Sequence, residues 1–137
     1  MKGFVDENLV LSDNQSLYSA TGVNNRQSTH NVKLTEARLG DGLPIYFHVM
    51  VSTACAGRSA GAKQLVVSLR DAADNDGAPN TFGATAILQT TITVTNLTKG
   101  LEILRVALPS DTREWVQAYY NVQTLSAGAV DAWLSDH

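Results

Sequence analysis

The stretch "PIYFHVMVS", residues 44–52, decides the fold class, because apolar side chains occupy every second position. One face of the segment carries Ile45, Phe47, Val49 and Val51, and the other carries Tyr46, His48 and Met50. A period of two in a run of β-branched and aromatic residues is typical of a β-strand. We therefore predict a strand here.

The same alternation recurs along the chain. It is clear in "QLVVSLR" (64–70), "LEILRVAL" (101–108) and "EWVQAYYNVQT" (114–124). Shorter strands are predicted at 9–11, 16–22 and 129–135, and one long or two short strands at 84–96. The segment "NNRQSTHN" (24–31) is predicted as an exposed loop, and 71–83 as a turn region. About eight strands separated by turns, with no convincing long helix, predict an all-β sandwich or barrel with two packed sheets, and of these we expect the antiparallel sandwich.

The 137 residues predict one domain. Residues 1–40 are polar and irregular, and we interpret them as an N-terminal arm that adds the first short strands to that domain. Residues 41–137 are predicted to form the sandwich core. No tandem repeat or linker divides the chain.

The net charge is −3 and the sequence has no basic cluster that could follow a phosphate backbone, so no nucleic-acid partner is predicted. No apolar run reaches the roughly 20 residues of a membrane span, so no membrane partner is predicted. A single cysteine, Cys55, excludes an internal disulfide. Charged residues make up only 17% of the chain, which suits an all-β protein or one that lies against partners.

One catalytic pattern is present, the G-x-S-x-G match at residues 57–61. A nucleophile elbow would place Ser59 between a strand and a helix. The segment after Gly61 has adjacent β-branched valines and tight turn boundaries, which favour a strand. We therefore interpret 57–61 as a loop between strands, and we predict that the protein is not an enzyme.

Metal and cofactor sites are also not predicted. The segment "DAADNDG" (71–77) resembles part of a calcium loop but lacks the first ligand and the final glutamate, and a looser cation site there stays open. His30, His48 and His137 are far apart in sequence, and His48 is interpreted as a packing residue. Cys55 is predicted to be an inert thiol.

The aromatic residues of 114–124 form the remaining candidate surface. Trp115 and Tyr119 fall on the face of the predicted strand opposite Tyr120. Two aromatic side chains on one outward face indicate either a protein interface or a sugar-binding platform. A carbohydrate-binding β-sandwich, of a tail-fibre or secreted type, is therefore the alternative to a protein-binding role.

Three segments carry a family resemblance: "LSDNQSL" (11–17), "GDGLPIY" (40–46) and "YYNVQTLSAGAVDAWL" (119–134). With the order of the strands between them, they resemble the cementing, or decoration, proteins of tailed bacteriophages. The resemblance implies a jelly-roll-like sandwich without catalytic residues. It also implies that the protein binds the outside of the assembled capsid and bridges neighbouring major capsid subunits.

The resemblance further implies self-association as a dimer or trimer, and a place on the virion exterior after synthesis in the host cytoplasm. We expect contacts to the capsid, or between copies, from the N-terminal arm, the exposed loops and the outward aromatics. The expected contact residues are Phe4, Val5, Leu9, Arg26, Arg58, Lys63, Trp115 and Tyr119.

Overall fold

A computed structural model describes residues 9–17, 25–34, 44–57, 64–83, 86–93, 98–122 and 125–135. This part of the chain holds eleven strands. They are β1 (Val10–Ser16), β2 (Asn25–Gln27), β3 (Val32–Lys33), β4 (Tyr46–Gly57), β5 (Gln64–Ala72), β6 (Asp74–Asn75), β7 (Ala78–Pro79), β8 (Leu88–Thr93), β9 (Glu102–Ala107), β10 (Trp115–Val122) and β11 (Leu125–Ser135).

The strands form two antiparallel sheets that pack on each other. The first sheet has the order β1-β11-β4-β9, and the second has the order β2-β10-β5-β8, with β3 also paired to β10. Strands β6 and β7 form a separate small hairpin. The predicted all-β sandwich is confirmed.

The pairing of the strands is that of a jelly roll. Because β2 and β3 both pair with β10, they act as two parts of one interrupted strand, and the described residues then form eight main strands. The first of the eight pairs with the last (β1 with β11) and the second with the seventh (β2/β3 with β10). The third pairs with the sixth (β4 with β9) and the fourth with the fifth (β5 with β8). Such nesting is what a long antiparallel ribbon gives when it winds into two sheets.

The core lies between the sheets and follows the alternation in the sequence. Phe47, Val49 and Val51 of β4 are at most 1% exposed. The inward residues of the other central strands are equally buried: Leu65, Val67, Leu69, Val116, Ala118, Tyr120, Val130, Ala132 and Leu134. Burial of each large apolar side chain contributes about 1.5–3 kcal/mol, so these rows are the main source of stability.

Two segments predicted as loop or turn contain strands. The loop prediction for 24–31 is wrong for Asn25–Gln27, which form the edge strand β2 and pair with β10. The exposed backbone of a sheet edge can recruit three extended residues despite their polar composition. Within 71–83, Asp76 (φ 52°) and Gly77 (φ 87°) form a two-residue hairpin turn between β6 and β7. Both central residues have positive φ, as a type I′ turn requires.

One side of the sandwich is closed where β1 approaches β2 and β3. Leu11, Leu17 and Val32 are at most 2% exposed there. The backbone N–H of His30 donates to the carbonyl of Leu11 at 2.9 Å and so links the two sheets. The first 34 residues therefore contribute to both sheets and to the core through their described part.

Candidate functional site

The outward face of β10 presents the aromatic residues predicted from the sequence. Because Val116, Ala118 and Tyr120 point into the core, Trp115, Gln117 and Tyr119 point outward from the second sheet. Trp115 and Tyr119 are four residues apart on one strand, which corresponds to about 13 Å. We call the set Lys33, Arg70, Trp115, Gln117 and Tyr119 the aromatic face.

Arg70 covers the ring of Tyr119. Tyr119 lies opposite Ser68 in the β10–β5 pairing, which makes Arg70 its diagonal neighbour. The guanidinium carbon of Arg70 is 3.7 Å from the centre of the Tyr119 ring. This stacked cation–π contact fixes two long side chains in one geometry. The Nε of Arg70 is buried and has no hydrogen-bond partner among the described residues.

Trp115 is held by a second cluster at the other end of the strand. Its Nε1 donates to Oδ1 of Asp74 at 2.9 Å. The Lys33 ammonium is 3.5 Å from the same carboxylate oxygen and 5.9 Å from the centre of the Trp115 ring. The hydrogen bond from Trp115 is the largest of the effects that act on the pKa of Asp74, and it lowers that pKa. Partial burial acts to raise the pKa, but the contacts with Gly77 and Lys33 lower it further, so the carboxylate stays ionised.

Gln117 fills the space between the two clusters. It is 5% exposed, and its Nε2 donates to Oδ1 of Asn31 at 3.3 Å. Ser68, beside Tyr119 on β5, is also buried, at 4% exposure. The aromatic face is therefore packed by its own side chains. Tyr, Trp and Arg held in place on a sheet are the residue types that dominate protein–protein interfaces.

This geometry does not favour a sugar platform. Such a platform needs free aromatic ring faces, but Arg70 occupies one face of Tyr119 and both Trp115 and Tyr119 are half-buried. A sugar that stacked on Tyr119 would first have to displace the guanidinium.

The outward face of the first sheet carries a different aromatic group. His48 stacks on Trp133 with ring centres 5.1 Å apart and planes 5° apart, and His48 Nε2 is 2.7 Å from Ser135 Oγ. Arg105 lies over the Tyr46 ring at 5.2 Å. His48 and Trp133 are 6% and 8% exposed. The interpretation of His48 as a packing residue is confirmed.

The strands around the G-x-S-x-G match do not fit a nucleophile elbow. Ser59 itself lies outside the described residues, but β4 ends at Gly57 and the strand β5 begins at Gln64, where an elbow would need a helix. In the described ranges, no three histidine, cysteine or acidic residues are grouped to hold a metal. In the calcium-like segment, Asp71 is bound by Arg113, and Asp74 by Trp115 and Lys33.

Of the other predicted contact residues, Leu9 and Arg26 lie in the described ranges, and neither joins Trp115 and Tyr119. Leu9 is 8% exposed and packs in the core. Arg26 lies opposite Tyr120 on the edge strand β2 and is half-buried. Phe4, Val5, Arg58 and Lys63 lie outside the described residues.

Sequence reasoning missed the partners of the two aromatics, which are Lys33, Arg70 and Asp74. The sequence does indicate one of these partners, since the alternation in "QLVVSLR" places Arg70 on the polar face of its strand. Only the strand pairing brings that side next to Tyr119.

The chain matches the model of a known protein family. A model of the protein family described as Bbp16 matches residues 11–134, from the second residue of β1 to the penultimate residue of β11. No curated protein matches the chain. No helix of the described segments is long and apolar enough to cross a membrane.

Proposed function

The chain belongs to the Bbp16 family, a phage-associated family, and from this premise we propose that it is a structural virion protein that binds the outer surface of the assembled capsid. In this role it clamps neighbouring subunits of the major capsid protein. The observation that carries the proposal is the family match, which covers residues 11–134. The resemblance to phage decoration proteins in the segments 11–17, 40–46 and 119–134 supports it.

The aromatic face is the surface that we assign to the capsid contact. Its large side chains are fixed before binding, because Arg70 stacks on Tyr119 and Asp74 holds Trp115. Side chains that are ordered in the free protein lose little entropy when a partner covers them. The guanidinium edge of Arg70 can donate to carboxylates or carbonyls of the partner while its flat side stays on the ring.

A clamp on a shell does not need high affinity at each site. A copy that contacts two adjacent subunits gains from the high effective concentration of the second contact once the first has formed. The aromatic face combines ordered aromatic side chains with one guanidinium and polar neighbours. This composition is typical of a protein interface of moderate size. The protein needs no catalytic group for this role.

The test compares two cation–aromatic pairs on opposite faces of the sandwich. Arg70→Ala removes the cation from Tyr119 on the second sheet, and Arg105→Ala removes the cation from Tyr46 on the first sheet. Each purified variant is mixed with capsids stripped of this protein, and the bound fraction is measured by co-sedimentation over a concentration series. Circular dichroism and thermal unfolding establish that both variants are folded.

We expect the wild type and Arg105→Ala to bind capsids alike, and Arg70→Ala to bind about tenfold more weakly, which is the effect of losing one interface hot spot of about 1.4 kcal/mol. Equal binding by all three would contradict the assignment to the aromatic face. Failure of the folded wild type to bind stripped capsids would contradict the proposed function itself.

A further inference from the structure

The two cations of the aromatic face differ in their partners. The Lys33 ammonium lies 3.5 Å from a carboxylate oxygen of Asp74. Arg70 stacks instead on the ring of Tyr119, at 3.7 Å, and no carboxylate in the described ranges pairs with it. A guanidinium carries a planar fork of N–H donors that fits both oxygens of a carboxylate. Within the part of the chain that the structure describes, this fork of Arg70 is unused.

The stack leaves the outer edge of the guanidinium open. Nε of Arg70 is buried and unpaired among the described residues, but Nη1 and Nη2 are not buried in this way, and the residue as a whole is half-buried. The ring of Tyr119 lies under the guanidinium, and the pairing of β10 with β5 fixes Tyr119 opposite Ser68. Arg70 therefore presents its terminal donors outward in a set direction.

The outward positions around Arg70 are neutral. Gln117 lies directly opposite Arg70 on β10, and Ser68 precedes Arg70 on the same face of β5. Gln89 of β8 lies opposite Ser68, and Gln27 of β2 lies opposite the tyrosine of the stack. None of these side chains would repel a carboxylate that approached the guanidinium.

The charge of the aromatic face is opposite in sign to that of the chain. Lys33 and Arg70 give this surface two positive charges, and the Asp74 carboxylate that accepts from Trp115 gives it one negative charge, so its net charge is +1. The whole chain has a net charge of −3. An acidic patch on a partner is therefore attracted to this surface and repelled by the remainder of the chain, which orients its approach.

A partner that covers the aromatic face removes water from the Arg70 guanidinium. The loss of hydration of a cation is costly unless an opposite charge and hydrogen bonds replace the water. A backbone carbonyl of the partner would accept a hydrogen bond but bring no charge, whereas a carboxylate brings both and matches the fork of donors. The chemistry of the covered surface therefore favours an acidic side chain from the partner.

We infer that Arg70 is the receptor for an aspartate or glutamate side chain of the major capsid protein, which Nη1 and Nη2 bind end-on. This inference rests on the proposed function and adds to it the chemical identity of the group on the capsid. It also makes Arg70 a residue that determines specificity, because the contact forms only where the capsid presents a carboxylate.

The test compares two substitutions of nearly equal size at Arg70. Arg70→Gln and Arg70→Glu both lose the stack on Tyr119, and they differ in the charge of the new side chain. Arg105→Gln and Arg105→Glu form the matched control pair on the first sheet, where a cation also lies over an aromatic ring. Binding to stripped capsids is measured by co-sedimentation at several salt concentrations, and circular dichroism establishes that each variant is folded.

We expect Arg70→Gln to bind about tenfold more weakly than the wild type. Arg70→Glu should bind at least about tenfold more weakly than Arg70→Gln, because two carboxylates then face each other. The two Arg105 variants should bind alike. Added salt should weaken the wild type more than Arg70→Gln, since only the wild type has the attraction between opposite charges that salt screens.

Equal binding by Arg70→Gln and Arg70→Glu, or an equal response of the wild type and Arg70→Gln to salt, would overturn the inference and leave the proposed function standing. An equal loss from Gln to Glu at position 105 would also overturn it, because general repulsion from the capsid would then explain the effect. If the folded wild type does not bind capsids at all, the proposed function fails and the inference fails with it.

A zero-length cross-link tests the carboxylate directly. Arg70→Lys places an amine near the position of the guanidinium, and a carbodiimide joins an amine to a contacting carboxylate as an amide. Arg105→Lys is the matched control. At saturating concentration on capsids, we expect mass spectrometry to find a cross-link from position 70 to an aspartate or glutamate of the major capsid protein, and none from position 105. Capsid-bound Arg70→Lys without such a cross-link would contradict the inference.

Discussion

The hydroxyl of Tyr120 lies 2.8 Å from Oγ of Ser12, and this buried hydrogen bond joins the two sheets of the sandwich. Ser12 donates its own proton to Oε1 of Gln15 at 2.6 Å, so Tyr120 is the donor to Ser12. Burial raises the pKa of Tyr120 well above its usual value, which keeps the donating proton in place. The hydrogen bonds that link Tyr120, Ser12 and Gln15 hold β1 against β10 at the closed side of the jelly roll.

Removal of this hydroxyl should weaken the fold without changing it. Tyr120→Phe keeps the ring volume and leaves Ser12 with its acceptor, so we expect a loss of about 1 kcal/mol in the free energy of unfolding, measured in urea. Tyr119→Phe is the matched control on the same strand, and should stay within about 0.5 kcal/mol of the wild type. An equal loss in both variants would contradict a special role for the contact between Tyr120 and Ser12.

The ion pair between Asp71 and Arg113 should make part of the free energy of unfolding depend on pH in the acid range. Arg113 donates from its backbone N–H and from Nη2 to the carboxylate, at 2.9 Å each, and Nη2 also donates to the Asp71 carbonyl at 2.8 Å. Burial acts to raise the pKa of Asp71, but the contacts with Arg113 together outweigh it and the pKa is lowered.

The pKa of Asp71 is lower in the folded state than in the unfolded state, where it is about 3.9. The ionised carboxylate therefore stabilises the fold fully at pH values above the unfolded pKa. This stabilisation is lost as the pH falls through the folded pKa and the carboxylate becomes protonated. We expect Asp71→Asn to lower the free energy of unfolding by about 2 kcal/mol at pH 7. The difference from the wild type should shrink below about pH 4, in urea titrations across pH. Asp76→Asn, at the exposed hairpin turn, is the control. A pH-independent difference for Asp71→Asn would refute the role of the charge.

Gly128 is required where β11 passes Cys55. Its φ is +140°, and a Cβ there would lie 2.6 Å from Sγ of Cys55. Gly100 also has a positive φ, of +90°, but has nothing within 4 Å of a Cβ. Gly100→Ala therefore measures the backbone cost alone, about 1–3 kcal/mol.

We expect Gly128→Ala to lose more unfolding free energy than Gly100→Ala, because the clash adds to the strain. Cys55→Ala combined with Gly128→Ala should recover part of the difference, since the sulfur is removed. Thermal and urea unfolding give the comparison. If the double variant is no more stable than Gly128→Ala, the contact with the sulfur is not the cause. Burial also raises the pKa of the Cys55 thiol, in agreement with the predicted inert cysteine.

Residues 1–8 should contribute to capsid binding and not to folding. Deletion of residues 1–8 removes Phe4 and Val5 but leaves all of β1, whereas deletion of residues 1–12 also removes Leu11 and Ser12, which are fully buried. We expect the shorter deletion to keep the thermal stability and to lower retention on stripped capsids. The longer deletion should unfold more easily. Full retention by the shorter deletion would contradict a contact role for Phe4 and Val5.

Much of the fold follows from the sequence because inward and outward residues alternate on the central strands. The patterns of 44–52, 64–70 and 114–124 predicted β4, β5 and β10 and their inner faces. β2 could not be predicted, since Asn25–Gln27 have no apolar alternation and are extended because β10 offers them a free edge.

The candidate site was predicted only in part. Alternation put Trp115 and Tyr119 on one face, and that prediction is confirmed. Arg70 is 49 positions from Tyr119 in the chain, and only the register of β5 on β10 makes them neighbours. The sequence pattern also cannot show that Arg70 covers the ring, which is the observation that weighs against a sugar platform.

The central claim is that this member of the Bbp16 family is a structural component of the capsid exterior. Quantitative mass spectrometry of purified virions, with and without brief protease treatment of intact particles, tests it most directly. We predict that the chain is present in a fixed ratio to the major capsid protein, at hundreds of copies per particle, and that surface protease removes it without releasing DNA. Absence from purified virions, or only a few copies per particle, would contradict the claim.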